Sequence, residues 1–248
     1  MYDATDYPPF AVTVDLAMFT LRGPALSVLL VRRGGEPFQG MPALPGGFVH
    51  ADESAEVAAR RELAEETGLD SFPGHLEQLA TYSEPGRDPR MRVVSVVFVA
   101  FAPNLPEPSA GSDAADAYWV PVEDASRESL AFDHAQILTD AVERVRSKLE
   151  YTTLATHFVE SPFSIRDLQT VYEAVWDVTW DRANFRRKVL GTRGFVEPVE
   201  GVADAASTGG RRAQLYRPGD ATTLHPPIPR PCVHFNRRRV KSKTGWGS

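Results

Sequence analysis

Residues 47–69 read GFVHADESAEVAARRELAEETGL, and the rest of the chain is best read outward from them. Glu62, Glu65 and Glu66 stand at i, i+3 and i+4, which on a helix puts three carboxylates on one face. Like charges at that spacing repel by roughly 0.2–0.5 kcal/mol per pair, so helix stability alone gives no reason to gather them. Carboxylate oxygens are the preferred ligands of hard divalent cations, and such cations also bind phosphate. The competing reading is a solvated acidic helix with a glycine C-cap. Asp52 and Ser54 are both suitable N-caps for this helix, and Gly68 is a suitable stop.

The wider spacing resembles the Nudix box, G-x5-E-x7-R-E-U-x-E-E-x-G-U, where U is a bulky aliphatic residue. Gly47, Glu53, Arg61, Glu62, Leu63, Glu65, Glu66, Gly68 and Leu69 fill every fixed position. The resemblance implies a diphosphate hydrolase that works with Mg2+ or Mn2+. Glu62, Glu65 and Glu66 would be the metal ligands, joined by the backbone carbonyl of Gly47. Glu65 or Glu66 would also deprotonate the attacking water. Glu53 and Arg61 would orient the helix carboxylates, since an arginine is fixed in charge.

Around the box the chain alternates strand-like and helical stretches. Ala11–Leu21, Leu26–Arg33, Leu76–Ser83 and Val93–Ala102 are rich in strand-forming residues, and Tyr118-Trp119-Val120 reads as a short strand. Pro45-Gly46-Gly47 reads as a turn and Asn104–Ala117 as a loop. Ala135–Leu149 has helical apolar spacing. This order resembles the Nudix fold, a mixed α/β sheet sandwiched between helices, over residues 1–138 with a linker helix at about 135–150.

A second module is expected over residues 151–217. Ser164 followed by Asp167 is an N-cap signal, and Ile165, Leu168, Val171, Tyr172 and Val175 then recur at helical spacing. Asp181 caps a second helix, Arg182–Leu190, stopped by Gly191. Thr192–Val199 and Arg212–Arg217 read as a hairpin around a small, polar loop, Glu200–Arg211, expected to be disordered. Helix, turn, helix and hairpin describe a winged helix-turn-helix. Residues 218–248 are proline-rich, then basic, and are expected to be a flexible tail.

Charge divides along the same line. Residues 1–138 carry 21 acidic groups against 9 arginines, a net −12, and residues 139–248 carry 18 basic against 12 acidic, a net +6. An acidic module joined to a basic one suggests different partners, the second of them nucleic acid. An accidental asymmetry with a basic tail is the alternative. The single cysteine, Cys232, excludes an intramolecular disulfide and fits a reducing cytoplasm. The N-terminal MYDATDYPPF lacks the features of a signal peptide, and no apolar run reaches the ~18 residues of a membrane span.

LAFDHAQIL (residues 130–138), the run Asn184-Phe185-Arg186-Arg187-Lys188, and a wing ending in Leu215-Tyr216-Arg217 resemble the Nudix-related transcriptional regulators of NAD metabolism, the NrtR family. The likeness covers roughly residues 8–217, and the tail departs from it. It implies a homodimer that binds a double-stranded DNA operator and releases it when the Nudix half binds ADP-ribose. Many members of that family have a damaged box; this chain does not, so hydrolysis stays open. The alternative is a plain ADP-ribose pyrophosphatase whose second module serves dimerisation.

Arg182, Asn184, Arg186, Arg187 and Lys188 on the second helix, with Arg193, Arg211 and Arg212 in the wing, are the candidate DNA contacts, since arginine and lysine suit phosphate and guanine and asparagine suits adenine. Pro85, sixteen positions beyond Leu69, resembles the mark of ADP-ribose pyrophosphatases, or is an ordinary loop proline. Arg87 and Arg90 suit phosphate or ribose groups, or belong to a solvated turn. Arg32 and Arg33, at a strand end, are candidates of the same kind. Asp133-His134 reads as a structural or capping pair.

Overall fold

Strand β1 (Ala11–Arg22) is buried along most of its length. Its odd positions Ala17 and Phe19 and its even positions Val14, Leu16 and Met18 enter two different apolar clusters. A strand covered on both faces reads as a continuous apolar run, not an alternating one. This computed structural model describes residues 3, 6, 8–68, 72, 74–108, 114–203 and 214–231.

The strands β2 (Ala25–Arg33), β3 (Pro42–Ala43), β4 (Gly46–Phe48), β5 (His75–Tyr82), β6 (Val93–Phe101) and β7 (Ala114–Pro121) join β1 in one mixed sheet. Its main order is β3-β2-β1-β6-β5, with β4 on β1 and β7 on β2; β1 and β6 are parallel and the other pairs antiparallel. One face is covered by helix α1 (Ala55–Thr67) through Ala58, Ala59 and Leu63. The other packs on α3 (His134–Tyr151) through Ile137, Leu138, Ala141, Val142 and Val145. A short helix α2 (Val122–Ala125) precedes α3.

The second module holds a 3-10 segment (Thr153–Phe158), a short strand β8 (Phe163–Ser164), helices α4 (Ile165–Trp176) and α5 (Arg182–Gly191), and strands β9 (Val196–Ala203) and β10 (Gln214–Pro218). Ser164 and Asp167 form a reciprocal capping box on α4, and the Asp181 carboxylate accepts from the Asn184 N–H at the start of α5. Strands order as β8-β10-β9, so a winged helix-turn-helix forms as expected, with one strand, β8, that two residues were too few to announce.

The two modules share one core. Tyr172 and Trp176 from α4 meet edge-on at 4.9 Å, and Phe101 of β6 stacks on Phe158 at 4.8 Å, all within the cluster that includes α3. The Tyr172 hydroxyl donates to the Leu149 carbonyl at 3.1 Å, the Trp176 indole to the Arg146 carbonyl at 3.0 Å, and the Arg146 Nε to the Val175 carbonyl at 3.0 Å.

Four expectations about turns, loops and the tail change. Gly46 and Gly47 form an edge strand on β1, not a free turn; a Cβ at Gly46 would lie 2.2 Å from the Val14 carbonyl oxygen, so glycine is there for close approach. Ala114–Ala117 extend β7 into the expected loop, because the ladder to β2 supplies the pairing that alanine propensity does not. Residues 200–203 extend β9; 204–211, the rest of the expected wing loop, lie outside the described residues, as do 212 and 213 at the start of the expected second strand.

Fourth, residues 219–231 are docked where a flexible tail was expected. Gly219 and Ala221 donate to the carbonyls of Phe195 and Gly194, and Leu224 and Ile228 donate to those of Tyr151 and Glu150. Leu224 and Ile228 are 1% and 0% exposed. Two isolated aliphatics among prolines show no periodicity, yet they anchor this extended strap. Residues 232–248, with Cys232, lie outside the described residues.

Candidate diphosphate site and nucleic-acid interface

Helix α1 starts at Ser54, whose hydroxyl accepts from the Val57 N–H, and stops at Gly68, whose φ of 68° is left-handed. Between these caps Arg61 gathers the box residues. Its Nη2 lies 2.9 Å from Glu53 Oε1 and 3.2 Å from the Phe48 carbonyl; its Nη1 lies 2.7 Å from Glu62 Oε1 and 3.4 Å from Glu65 Oε1. Hydrogen bonds from Arg61 and from the His50 N–H hold the Glu53 pKa down at about 2. Glu62 is different: burial pushes its carboxyl up and Arg61 only partly opposes this. Arg61 itself is shifted upward, first by the hydrogen bond to Glu53.

The Glu62 carboxylate lies against the backbone of Gly47. A Cβ there would stand 2.1 Å from Glu62 Oε1, so the first residue of the box is glycine because its side of the strand is filled by a box carboxylate. Glu65 is half exposed. The side chain of Glu66 lies outside the described residues, as does Leu69. Among the described residues no three acidic, His or Cys side chains converge as a ready metal cage. The donor chemistry fits a hard divalent cation nonetheless: carboxylates of one helix face, with a backbone strand pressed against one of them.

Next to α1's partner strand lies a buried polar cluster. Arg87, its side chain 5% exposed, donates to both oxygens of Asp133 (2.9 and 2.7 Å) and to Asp15 Oδ2 at 3.3 Å. Ser95 donates to the same Asp15 oxygen at 2.5 Å. His134 Nδ1 accepts from the Leu44 N–H at 2.9 Å, and Nε2 faces Asp15 Oδ1 at 3.6 Å. Burial lowers the His134 pKa, which favours the neutral ring with its proton on Nε2. The cluster ties β1, the approach to β4, and the first turn of α3. Arg87 is therefore brought inside an ion-pair network, not onto an open surface.

The other arginines surround two aromatic rings. Phe38 and Phe132 meet edge-on at 4.8 Å, and both have left-handed φ, 64° and 53°. Such non-glycine positions cost about 1–3 kcal/mol each and collect at functional sites. Arg33 lies over Phe132 at 4.7 Å; Arg90 lies 5.9 Å from Phe132 and 5.6 Å from Phe48, and pairs with Asp88 at 2.7 Å. Arg32 stands apart, donating to the Gly40 carbonyl near Tyr118. Pro85 is exposed in the turn before Arg87. Sequence reasoning missed Asp15, Ser95, Phe38, Phe48 and Phe132; the signal for Asp15 was a lone carboxylate inside the apolar run VTVDLAMF.

In the second module Phe185 and Val189 of α5 are fully buried, and Arg182, Asn184, Arg186, Arg187 and Arg193 are exposed. Arg186 Nη2 donates to the Tyr216 hydroxyl of β10 at 3.2 Å, and Lys188 lies 5.8 Å over the Trp180 ring. Arg187 Nη2 donates to Asn184 Oδ1 at 2.6 Å. Arg211 and Arg212 lie outside the described residues.

A sheet between helices that carries this glutamate helix and shares its core with a winged helix is a Nudix-type domain fused to a DNA-binding module. Residues 9–141 match the NUDIX domain model and residues 155–217 the NrtR DNA-binding winged helix domain model. The ADPR responsive transcriptional repressor NtrR of Acinetobacter baylyi is 34% identical over 218 residues, 87% of this chain and 85% of its own length. The chain belongs to the Nudix family, in its NrtR group. Shewanella oneidensis NrtR complexed with a 27mer DNA is similar in structure, with TM-score 0.69, 32% identity, and coverage of 84% of this chain and 93% of that one. Its NUDIX domain complexed with ADP ribose gives TM-score 0.53 and 37% identity, covering 58% of this chain and 94% of that one. An ADP-ribose pyrophosphatase of Methanocaldococcus jannaschii is 43% identical over 113 residues, 46% of this chain and 64% of its own length. No helix among the described residues is long and apolar enough to cross a membrane.

Proposed function

We propose that the chain is a transcriptional repressor that binds operator DNA through α5 and the wing, and that ADP-ribose taken up by the Nudix half releases it. The carrying observation is that α3 belongs to both halves. Its first turn holds the Asp133–Arg87 pair and His134 beside the box, and its last turns are hydrogen-bonded to α4. A ligand that shifts the approach to β4 therefore acts on a helix that the DNA-binding module is packed against. Homodimer formation follows from the same reading, since a winged helix of this size reads one half-site.

The box also supports metal-dependent cleavage of the diphosphate. Glu62 and Glu65, with Glu66 and the Gly47 carbonyl, would hold Mg2+ or Mn2+, which neutralises phosphate charge and lowers the pKa of water. Arg61 keeps Glu53, Glu62 and Glu65 aligned, and Glu65 or Glu66 takes the proton. Arg33 and Arg90, beside the Phe38–Phe132 pair, are suited to the phosphate and ring groups of ADP-ribose.

Mobility shift with the DNA upstream of its own gene, with ADP-ribose titrated in and product release followed in parallel, tests both parts. Binding that ADP-ribose reverses is expected. A chain that binds no duplex at low salt, where phosphate contacts are strongest, but cleaves ADP-ribose, is a plain pyrophosphatase instead.

A further inference from the structure

Helix α5 turns a patterned face outward. Phe185 and Val189 face the core, so the opposite stripe is Ala183, Arg187, Leu190 and Gly191, at i, i+4, i+7 and i+8. All four are exposed, and Leu190, at 44%, is left open by the described residues. The cations beside the stripe are already engaged: Arg186 with the Tyr216 hydroxyl, Lys188 with the Trp180 ring. Only Arg187 stands in the middle of the stripe. Its fork is held from one side by the Asn184 side-chain oxygen, a neighbour on its own helix.

On the DNA-binding reading above, we infer that Arg187 is the base-reading side chain of α5, directed to guanine, and that Ala183 and Leu190 meet thymine methyl groups on either side of it. The fork of an arginine matches guanine O6 and N7, and small apolar side chains match the methyl of thymine in the major groove. Aliphatic groups flank this arginine, and the Asn184 amide whose oxygen steadies its fork stands to one side of the stripe. Arg186 and Lys188, held by aromatic side chains at the edges of the helix, are positioned for backbone phosphates, which fix register without reading sequence.

The test is selection by the full-length chain from duplexes with a randomised core, followed by salt titration on a selected and a scrambled duplex. The wild type is expected to fix a guanine flanked by thymine in each half-site. Arg187→Ala should relax that guanine and weaken the selected duplex by roughly 5- to 150-fold, with an unchanged salt slope on scrambled DNA. Arg187→Lys, which keeps the charge and loses the fork, should not restore guanine selection. Leu190→Ser should relax thymine alone. Arg186→Ala and Lys188→Ala should weaken both duplexes alike and reduce the slope by about 1. An Arg187→Ala chain that still fixes the guanine, or that loses about one unit of slope, makes Arg187 a phosphate contact and overturns the inference. A wild type that binds no duplex at all overturns the DNA-binding reading beneath it.

Discussion

Removing the Asp133 carboxylate isolates a buried guanidinium. In Asp133→Ala, Arg87 loses two hydrogen bonds of 2.9 and 2.7 Å and keeps only Asp15 at 3.3 Å, while its side chain remains 5% exposed. Breaking a buried ion pair from one side costs about 3–5 kcal/mol, because the remaining charge is unpaired. Two features reduce this. Asp15 remains, and Asp133 is 25% exposed, so water can enter where the carboxylate stood. We expect about 2–3 kcal/mol, which at about 2–4 °C per kcal/mol for a chain of this length lowers the melting temperature by about 4–12 °C. Thermal denaturation followed by circular dichroism reads it. The double variant Arg87→Leu, Asp133→Ala removes both charges, leaves Asp15 its Ser95 partner at 2.5 Å, and should regain at least half of the loss. An Asp133→Ala protein melting within about 1 °C of wild type, or a double variant that loses the sum of both single losses, refutes the buried-pair account.

Three further outcomes follow from other parts of the molecule. Burial raises the Glu77 pKa, but His75, at 2.9 Å, and Lys148 outweigh it and bring the carboxyl from 4.5 to about 2. The ionised, paired form thus adds stability that is complete above pH 4.5 and is lost as pH falls through about 2. Glu77→Gln should flatten that stretch of the melting-temperature curve, and parallel curves would count against the assignment. Gly47→Ala puts a methyl 2.1 Å from Glu62 Oε1 and should weaken Mn2+ binding by about tenfold or more in calorimetry, with DNA affinity retained; unchanged Mn2+ binding removes Glu62 from the metal site. Ile228→Ala empties a fully buried position and should cost about 2–4 kcal/mol in urea unfolding, whereas a loss under about 0.5 kcal/mol would mean the strap is not docked in solution.

The elements built on strong local signals were legible in the sequence. Ser54, Gly68, Ser164 and Asp181 cap the helices they were expected to cap, and the apolar rows of α3 and α4 face the core. Gly47, Glu53, Arg61, Glu62 and Glu65 lie together because they stand on one helix, the strand beside it and the turn between them. What escaped was fixed by tertiary contact. The Asp133-His134 pair was legible as structural, but its partners Asp15, Arg87 and Ser95 lie in other parts of the chain and join it only when β1, β6 and α3 pack. Phe38 and Phe132 acquire left-handed backbone from loops whose sequence contains no glycine at those positions. Leu224 and Ile228 are single aliphatics in a proline-rich stretch, and no periodicity marks them. Gly191, expected to stop α5, is its last residue instead, and Thr192 caps the helix.

The strap has a mechanical consequence. The chain leaves α3 at Tyr151, builds the whole winged helix, and returns to hydrogen-bond Tyr151 and Glu150 through Leu224 and Ile228. The DNA-reading unit is thus a cassette with its entry and exit fastened to the same turn of helix. A unit held by one strand of chain swivels about that strand; one held by two adjacent strands resists torsion. On the proposed reading, torque applied by DNA at α5 would pass into the end of α3, and a rotation of α3 would turn the winged helix with it, as a key turns its bit.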